Sequence, residues 1–340
     1  MKTAFSFIIS RLAWVLLVIF GVSIVTFLLI HSIPGSPWQA SPEKRALFSI
    51  ELVPSAMRQL DRQFGLDQPL WKQYTAYMFG SYDETGDFFC GAICGNLGPS
   101  LRLRGGKVTT SLFGVPEGMS FWHSRFGYTA RLALLSFAFT ALVGIPLGVL
   151  MAIRHASAFE RTASMILTLL LATPNFVLGI LLIIIVSSWL KLIKIVPDWS
   201  DPRTWIMPVV VLATIPAATL ARLTQAAMRE AMHGDYVRTA RAKGLRRSQV
   251  IILHILPNAL VPIVTALAPV LVELIAGSFI VEALFGFPGI GREYWQAIIK
   301  LDYPVIMGLT LIYSLGIVGI NVFVDAFYGL LDPRLRSSRG

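Results

Sequence analysis

Few residues in this 340-residue sequence combine the type and spacing that chemistry requires. The five histidines, His31, His123, His155, His233 and His254, share no metal-ligand spacing, and no metal is assigned. No Ser/His/Asp or Cys/His arrangement for nucleophilic catalysis converges either. Cys90 and Cys94 share one polar stretch. Two thiols are too few for a structural zinc site, so they form a local disulfide in an oxidising compartment or remain free. The chain lacks a Gly-x-x-x-x-Gly-Lys-Ser/Thr loop and is not expected to hydrolyse ATP itself. Two carboxylates stand out because their surroundings are apolar. Glu273 lies 16 residues beyond Pro257, about 24 Å along a helix, a depth at which a charge is costly and usually faces a cavity. Glu282 follows nearer the end of the same apolar block.

The densest charged pattern is Asp235-Tyr-Val-Arg-Thr-Ala-Arg-Ala-Lys-Gly-Leu245, followed by Arg246–Leu256 and Pro257. Asp235 is suited to cap a helix, Thr239–Lys243 propagates it, and Gly244 stops it in the left-handed conformation. A helix of about two turns results. Its apolar stripe, Tyr236, Val237 and Ala240, is too small to anchor it, so another molecule is expected to bind it. The plain alternative is a solvated, positively charged loop.

The elements that must position these residues are membrane helices. Hydrophobic residues make up 55% and charged residues 14% of the chain, where a soluble fold carries roughly a quarter charged. Net charge is +10, but the basic residues sit at the ends of apolar blocks rather than on a soluble face, which argues against nucleic acid. Six blocks approach the roughly 20 residues that a bilayer core needs: Leu12–Ile30, Leu132–Ile153, Thr162–Leu190 (tilted or broken at Pro174), Thr204–Met228, Ile255–Ala283 and Tyr303–Val324. Arg222 in the fourth is expected to snorkel toward the surface. Thirteen Lys and Arg residues fall on the side of both termini and five on the short loops opposite, which puts both termini in the cytoplasm. The first block is expected to remain as an anchor, since no small-residue cleavage site follows it. The fold expected is all-α: a polytopic membrane protein with six transmembrane helices and a large extracytoplasmic segment between the first two.

Within that segment, Met57, Leu60, Phe64, Leu70, Trp71, Tyr74 and Tyr77 recur at helical spacing and read as short amphipathic helices on the outer rim. Gly91–Gly118 reads as loop. The organisation expected is an N-terminal helix (1–32), the outer segment (33–128), a five-helix core (129–334) with a cytoplasmic loop at 229–256, and a tail (335–340).

That loop resembles the conserved cytoplasmic loop of permease subunits in ATP-binding-cassette importers: Glu-Ala-Ala, three residues, Gly, then nine more before Ile-x-Leu-Pro. Aligned on Gly244, Ala240 takes the second Ala, and Leu256 and Pro257 take Leu-Pro. Arg238 stands in place of the Glu, Thr239 in place of the first Ala, and His254 in place of the Ile. The wording Arg-Thr-Ala-Arg-Ala-Lys-Gly-Leu resembles the dipeptide, oligopeptide and nickel branch. So do His31-Ser-Ile-Pro-Gly-Ser-Pro37, Gly65-Leu-Asp-Gln-Pro-Leu70, Glu282-Ala-Leu-Phe-Gly-Phe-Pro-Gly-Ile-Gly291, Asp302-Tyr-Pro304, and Asn321 to Asp325 with Leu331-Asp-Pro-Arg334, in the family's order. The stretch Gly80–Trp122 is a longer insertion than the family usually shows.

The resemblance implies a type I importer permease fold and a subunit that forms half of a translocation pathway for peptides or a similar solute. Implied partners are a second homologous permease, two ATPases that bind ATP and Mg, an external binding protein, and membrane lipid. Asp235, Tyr236, Arg238, Ala240, Lys243, Gly244, Leu256 and Pro257 would couple the chain to an ATPase. Glu273 would line the pathway and attract a cationic group such as a peptide amine, or sit as a hydrogen-bonded carboxyl against the second permease. Glu282, Pro288 and Gly289 would belong to an outer gate, or in the last two to a plain turn. The competing reading is a secondary transporter or channel that needs no ATPase.

Overall fold

A computed structural model describes residues 2–33, 62, 65–82, 86–101, 106–115, 117–194 and 197–331. Met57, Leu60 and Phe64 of the expected amphipathic helices, Pro34–Pro37, and the tail from residue 332 lie outside the described residues. Among the described residues, five helices are long and apolar enough to cross a membrane, and one further pair of helices meets that test only when taken together. Large apolar side chains such as Leu17, Leu142, Met165 and Trp189 point outward, as they do when the surrounding solvent is lipid.

The chain divides into two units, residues 1–128 with 288–318, and residues 129–287 with 319–340. In the first unit, α1 (Lys2–Ser32) is lined by α2 (Leu70–Phe79). Ser23 meets the Tyr74 hydroxyl at 2.8 Å, and the His31 ring meets Gln73 at 3.1 Å. A hairpin of β1 (Gly80–Tyr82) and β2 (Phe88–Cys90) follows, paired antiparallel with Gly80 opposite Cys90. The outer segment is therefore not wholly helical: its Tyr and Phe residues favour a pleated pair over a loop. Nor is Gly91–Gly118 all loop, because α3 (Val108–Phe113) buries Val108 and Leu112 completely. Those two side chains join Phe27, Ile30, Leu97, Ile306 and Leu309 in the core of this unit. Later in the chain, α11 (Ile290–Lys300) and α12 (Tyr303–Leu331) as far as Val318 return to it.

The second unit holds most of α4 (Arg125–Ile153), then α5 (Ala158–Ala172), α6 (Asn175–Leu182), α7 (Ile206–Met232), α8 (Asp235–Ala242), α9 (Arg247–Val250) and α10 (Leu256–Phe285). The third apolar block is broken: α5 and α6, with the wider turns Ile183–Trp189 that continue it, meet at 105°. Proline explains the site of the break. Pro174 has no N–H to continue the ladder and drives Thr173 to φ −99°, ψ 122°. α7, by contrast, runs through Pro216 without interruption.

α4 and α7 lie side by side, running the same way. Ser136 donates to the Val209 carbonyl (3.4 Å) and Thr140 to the Ala213 carbonyl (3.5 Å). Gly144 abuts Ala217, and Gly148 abuts Ala221 and Thr224. A Cβ on Gly148 would fall 2.4 Å from the Ala221 carbonyl oxygen, so the two backbones approach as closely as they do only because glycine is there. One small residue in every four on α4 thus faces one in every four on α7, the packing that serves helices where lipid removes the hydrophobic drive.

Candidate functional site

The charged pattern Asp235–Leu245 folds as a short helix, α8. Gly234, at φ −66°, ψ 147°, occupies its cap position, and no side chain caps it. This corrects the capping role expected of Asp235, which is instead the first helical residue and complements the positive end of the helix dipole. Glycine suits the cap because a Cβ there would fall 2.4 Å from the Tyr236 ring, whose hydroxyl donates to the Ala231 carbonyl at 2.9 Å. At the other end Gly244 has φ +77°. Its N–H reaches the Arg241 carbonyl (3.0 Å), and that of Leu245 reaches Ala240 (3.4 Å), a Schellman stop.

α8 also holds itself in place, contrary to the expectation that its apolar stripe is too small. Val237 (1% exposed) and Ala240 (3%) are sealed into a core with Met228, Ala231, Val250, Ile255 and Ala259. The stripe is short, but α7 and α10 close over both residues. Asp235, Arg238, Arg241 and Lys243 point away from that core and are exposed. The connecting loop is shorter than 229–256, because α7 continues to Met232 and helix resumes at Arg247. There the Gln249 side chain accepts from the Arg246 N–H at 3.0 Å. Leu256 and Pro257 open α10 directly after the wide turns Ile251–Ile255. The wide turn accommodates the N–H that Pro257 lacks. Leu256 packs against the core that holds Val237, while Pro257 is exposed.

Glu273 is exposed midway along α10, in a stripe with Pro262, Thr265, Pro269, Ala276 and Ile280 that is turned away from the buried Ile263, Val270 and Leu274. Glu282 is different: it is wholly buried, and Thr129 donates to its carboxylate at 2.8 Å. Its backbone carbonyl accepts from the Phe287 N–H at 2.8 Å, closing α10 around Gly286 at φ +63°. Phe287, fully buried, meets Trp199 and Trp205 edge-on at ring separations of 4.6 and 4.9 Å. Pro288 is half-buried, and the buried Gly289 is the cap residue of α11. Cys90 and Cys94 are joined in a disulfide, with Cα atoms 5.9 Å apart.

Two polar clusters had no signal in sequence spacing. Asp302 (4% exposed) accepts from the Ser100 hydroxyl at 2.5 Å and the Leu101 N–H at 3.2 Å, pinning the loop before α3. Glu160, in the first turn of α5, accepts from the Ala156 N–H (2.9 Å) and Gln225 (3.0 Å) and pairs with Arg229. His155 Nδ1 lies 2.8 Å from the Arg229 guanidinium and 3.4 Å from the Glu160 carboxylate. Arg222 is exposed and donates to the Thr168 hydroxyl on α5.

A family model described as the binding-protein-dependent transport system inner membrane component matches residues 144–337, and the N-terminal membrane-component model of such systems matches residues 4–110. The dipeptide transport system permease protein of Escherichia coli K12 is 33% identical, covering 98% of this chain and 99% of its own. That of Bacillus subtilis 168 is also 33% identical, covering 93% and 92%. The glutathione transport system permease protein of Escherichia coli O6:H1 is 33% identical over 97% and 99%. Among solved structures, the inward-facing MetNI methionine ABC transporter aligns with a TM-score of 0.50 at 20% identity, covering 60% of this chain and 93% of that one.

Proposed function

The chain belongs to the family of binding-protein-dependent transport system inner membrane components, and from that premise we propose that it forms half of the translocation pathway of an ATP-driven peptide importer. In this reading a second permease completes the pathway, two ATPases carrying ATP and Mg sit on the cytoplasmic loops, and an external binding protein delivers a di- or oligopeptide. Both termini face the cytoplasm. The observation that carries the reading is α8: one face is sealed into the chain's own core and the other presents Arg238, Arg241 and Lys243 outward. A helix so rooted moves as a rigid lever. Closure of the ATPases around nucleotide displaces it, and the helices behind it rock between inward and outward openings. Asp235, Tyr236, Arg238, Ala240, Lys243, Gly244, Leu256 and Pro257 form that lever and its root. The Glu273 stripe faces the pathway, where a carboxylate in low dielectric attracts a peptide amine. Glu282, Pro288 and Gly289 shape the outer end.

Affinity purification from the native membrane in mild detergent, with mass spectrometry of the co-eluting proteins, tests this. A second six-span permease with one or two Walker-motif ATPases is the expected result. Recovery of the chain alone, under conditions that preserve other complexes, overturns the ATP-driven reading in favour of a secondary carrier.

A further inference from the structure

The geometry around Glu160 points to a second route by which the lever reaches the bundle. α8 is flanked in sequence by Arg229, in the last turn of α7, and by Arg247, at the start of α9. Both reach the same turn, the Arg154–Ser157 link between α4 and α5. Arg247 donates to the Ile153 carbonyl, the last of α4, at 3.3 Å. Arg229 pairs with Glu160, whose other oxygen is held by the Ala156 N–H inside the turn. The Glu160 side chain is only 15% exposed and the Arg229 side chain 35%, so the pair is partly shielded from water. Two turns deeper, Arg222 and Thr168 repeat the α7–α5 link.

We propose that Glu160 is a positioning residue for transport: with Arg229 it clamps the α4–α5 turn to the root of the α8 lever, so that movement of α8 displaces α4 and the bent α5–α6 pair together with α7 and α10. The inference rests on the importer reading. Ser157 caps α5 by accepting from the Glu160 N–H at 3.1 Å, so the helix keeps its start when the Glu160 carboxylate is removed. What is lost is the Ala156 N–H bond inside the turn and the contacts with Arg229 and Gln225 on α7.

The test uses the whole importer, this chain with its co-purified partners, in proteoliposomes, with ATP hydrolysis and dipeptide uptake measured together. Glu160→Ala is expected to keep ATP hydrolysis and lower uptake per ATP about fivefold or more. The exchanged pair Glu160→Arg with Arg229→Glu is expected to restore much of that ratio, which a residue needed only for folding would not do. Should Glu160→Ala fail to assemble, Glu160→Gln, which keeps the acceptor oxygen and loses the charge, takes its place. An unchanged ratio in the single variant, or no rescue by the exchange, overturns the clamp. A second readout does not depend on transport. Spin labels on cysteines placed at Thr162 and Ala242, both exposed and outside the pair, are expected to report one narrow distance, broadened by Glu160→Ala. An identical distribution in the two proteins overturns the clamp as well. If the unmodified complex shows no ATP-dependent uptake, the importer reading fails instead, and the spin-label distances still decide the link.

Discussion

At the scale of single residues, backbone conformation and a few hydrogen bonds carry the consequences. Gly244 sits at φ +77° with open space around it, so substitution there is resisted by the backbone rather than by crowding. Gly244→Val places a β-branched residue in the left-handed region at a cost of about 1–2 kcal/mol. The helix stop shifts, and peptide uptake by the assembled complex is expected to fall well below its ATP hydrolysis, measured side by side. Asp198 offers a pH test. The Ser200 hydroxyl (2.7 Å) and N–H (3.0 Å) donate to its carboxylate and hold it below the usual carboxylate range. A depressed acid stabilises the folded loop above its unfolded value and loses that contribution as pH falls through the folded one. Trp199, next in sequence, packs on Trp205. Tryptophan emission is therefore expected to change reversibly below about pH 4, where free aspartate also titrates, and Asp198→Asn is expected to remove that step. A trace unaltered by the substitution would assign the change elsewhere.

At the scale of elements, the α4–α7 seam sets the tightest constraint. Gly148→Leu drives a side chain into the Ala221 carbonyl and the Thr224 side chain. Overpacking of this kind costs about 1–3 kcal/mol, and detergent thermal melts are expected to show the loss, with Gly144→Ala milder because its Cβ would stand 2.9 Å from the nearest atom. The spans themselves were legible, since an uncharged apolar run of bilayer length seldom folds as anything but a membrane helix. The Pro174 break was legible as a position but not as a 105° bend, because a proline marks where a helix stops and not where its continuation goes. α8 was legible from Gly244 and its charges. Its self-anchoring was not: Val237 and Ala240 look like a meagre stripe until Met228 and Ile255, from either side in sequence, fold over them. The seam hid in small residues whose meaning lies in what they admit. The Glu160–Arg229 pair spans 69 positions, a separation at which nothing local signals a partner.

At the scale of the whole molecule, the disulfide provides a check on orientation. Cys90 and Cys94 in intact cells are expected to resist a membrane-impermeant maleimide and to label once an impermeant reductant is added. Labelling before reduction would mean free thiols, and none after it would put the segment inside. The seam has a different consequence. Its teeth are nearly identical: slide α4 one turn along α7, about 6 Å, and Ser136 meets Ala213, Thr140 meets Ala217, and Gly144 meets Ala221. Fit alone leaves the vertical alignment of the two rods ambiguous, as on a rack whose notches all match. Beyond the last notch, Glu160 at the start of α5 is gripped at two points one turn apart on α7, by Gln225 and by Arg229. A slide of one turn would exchange the glutamine in that grip, and so the grip distinguishes one notch from the next.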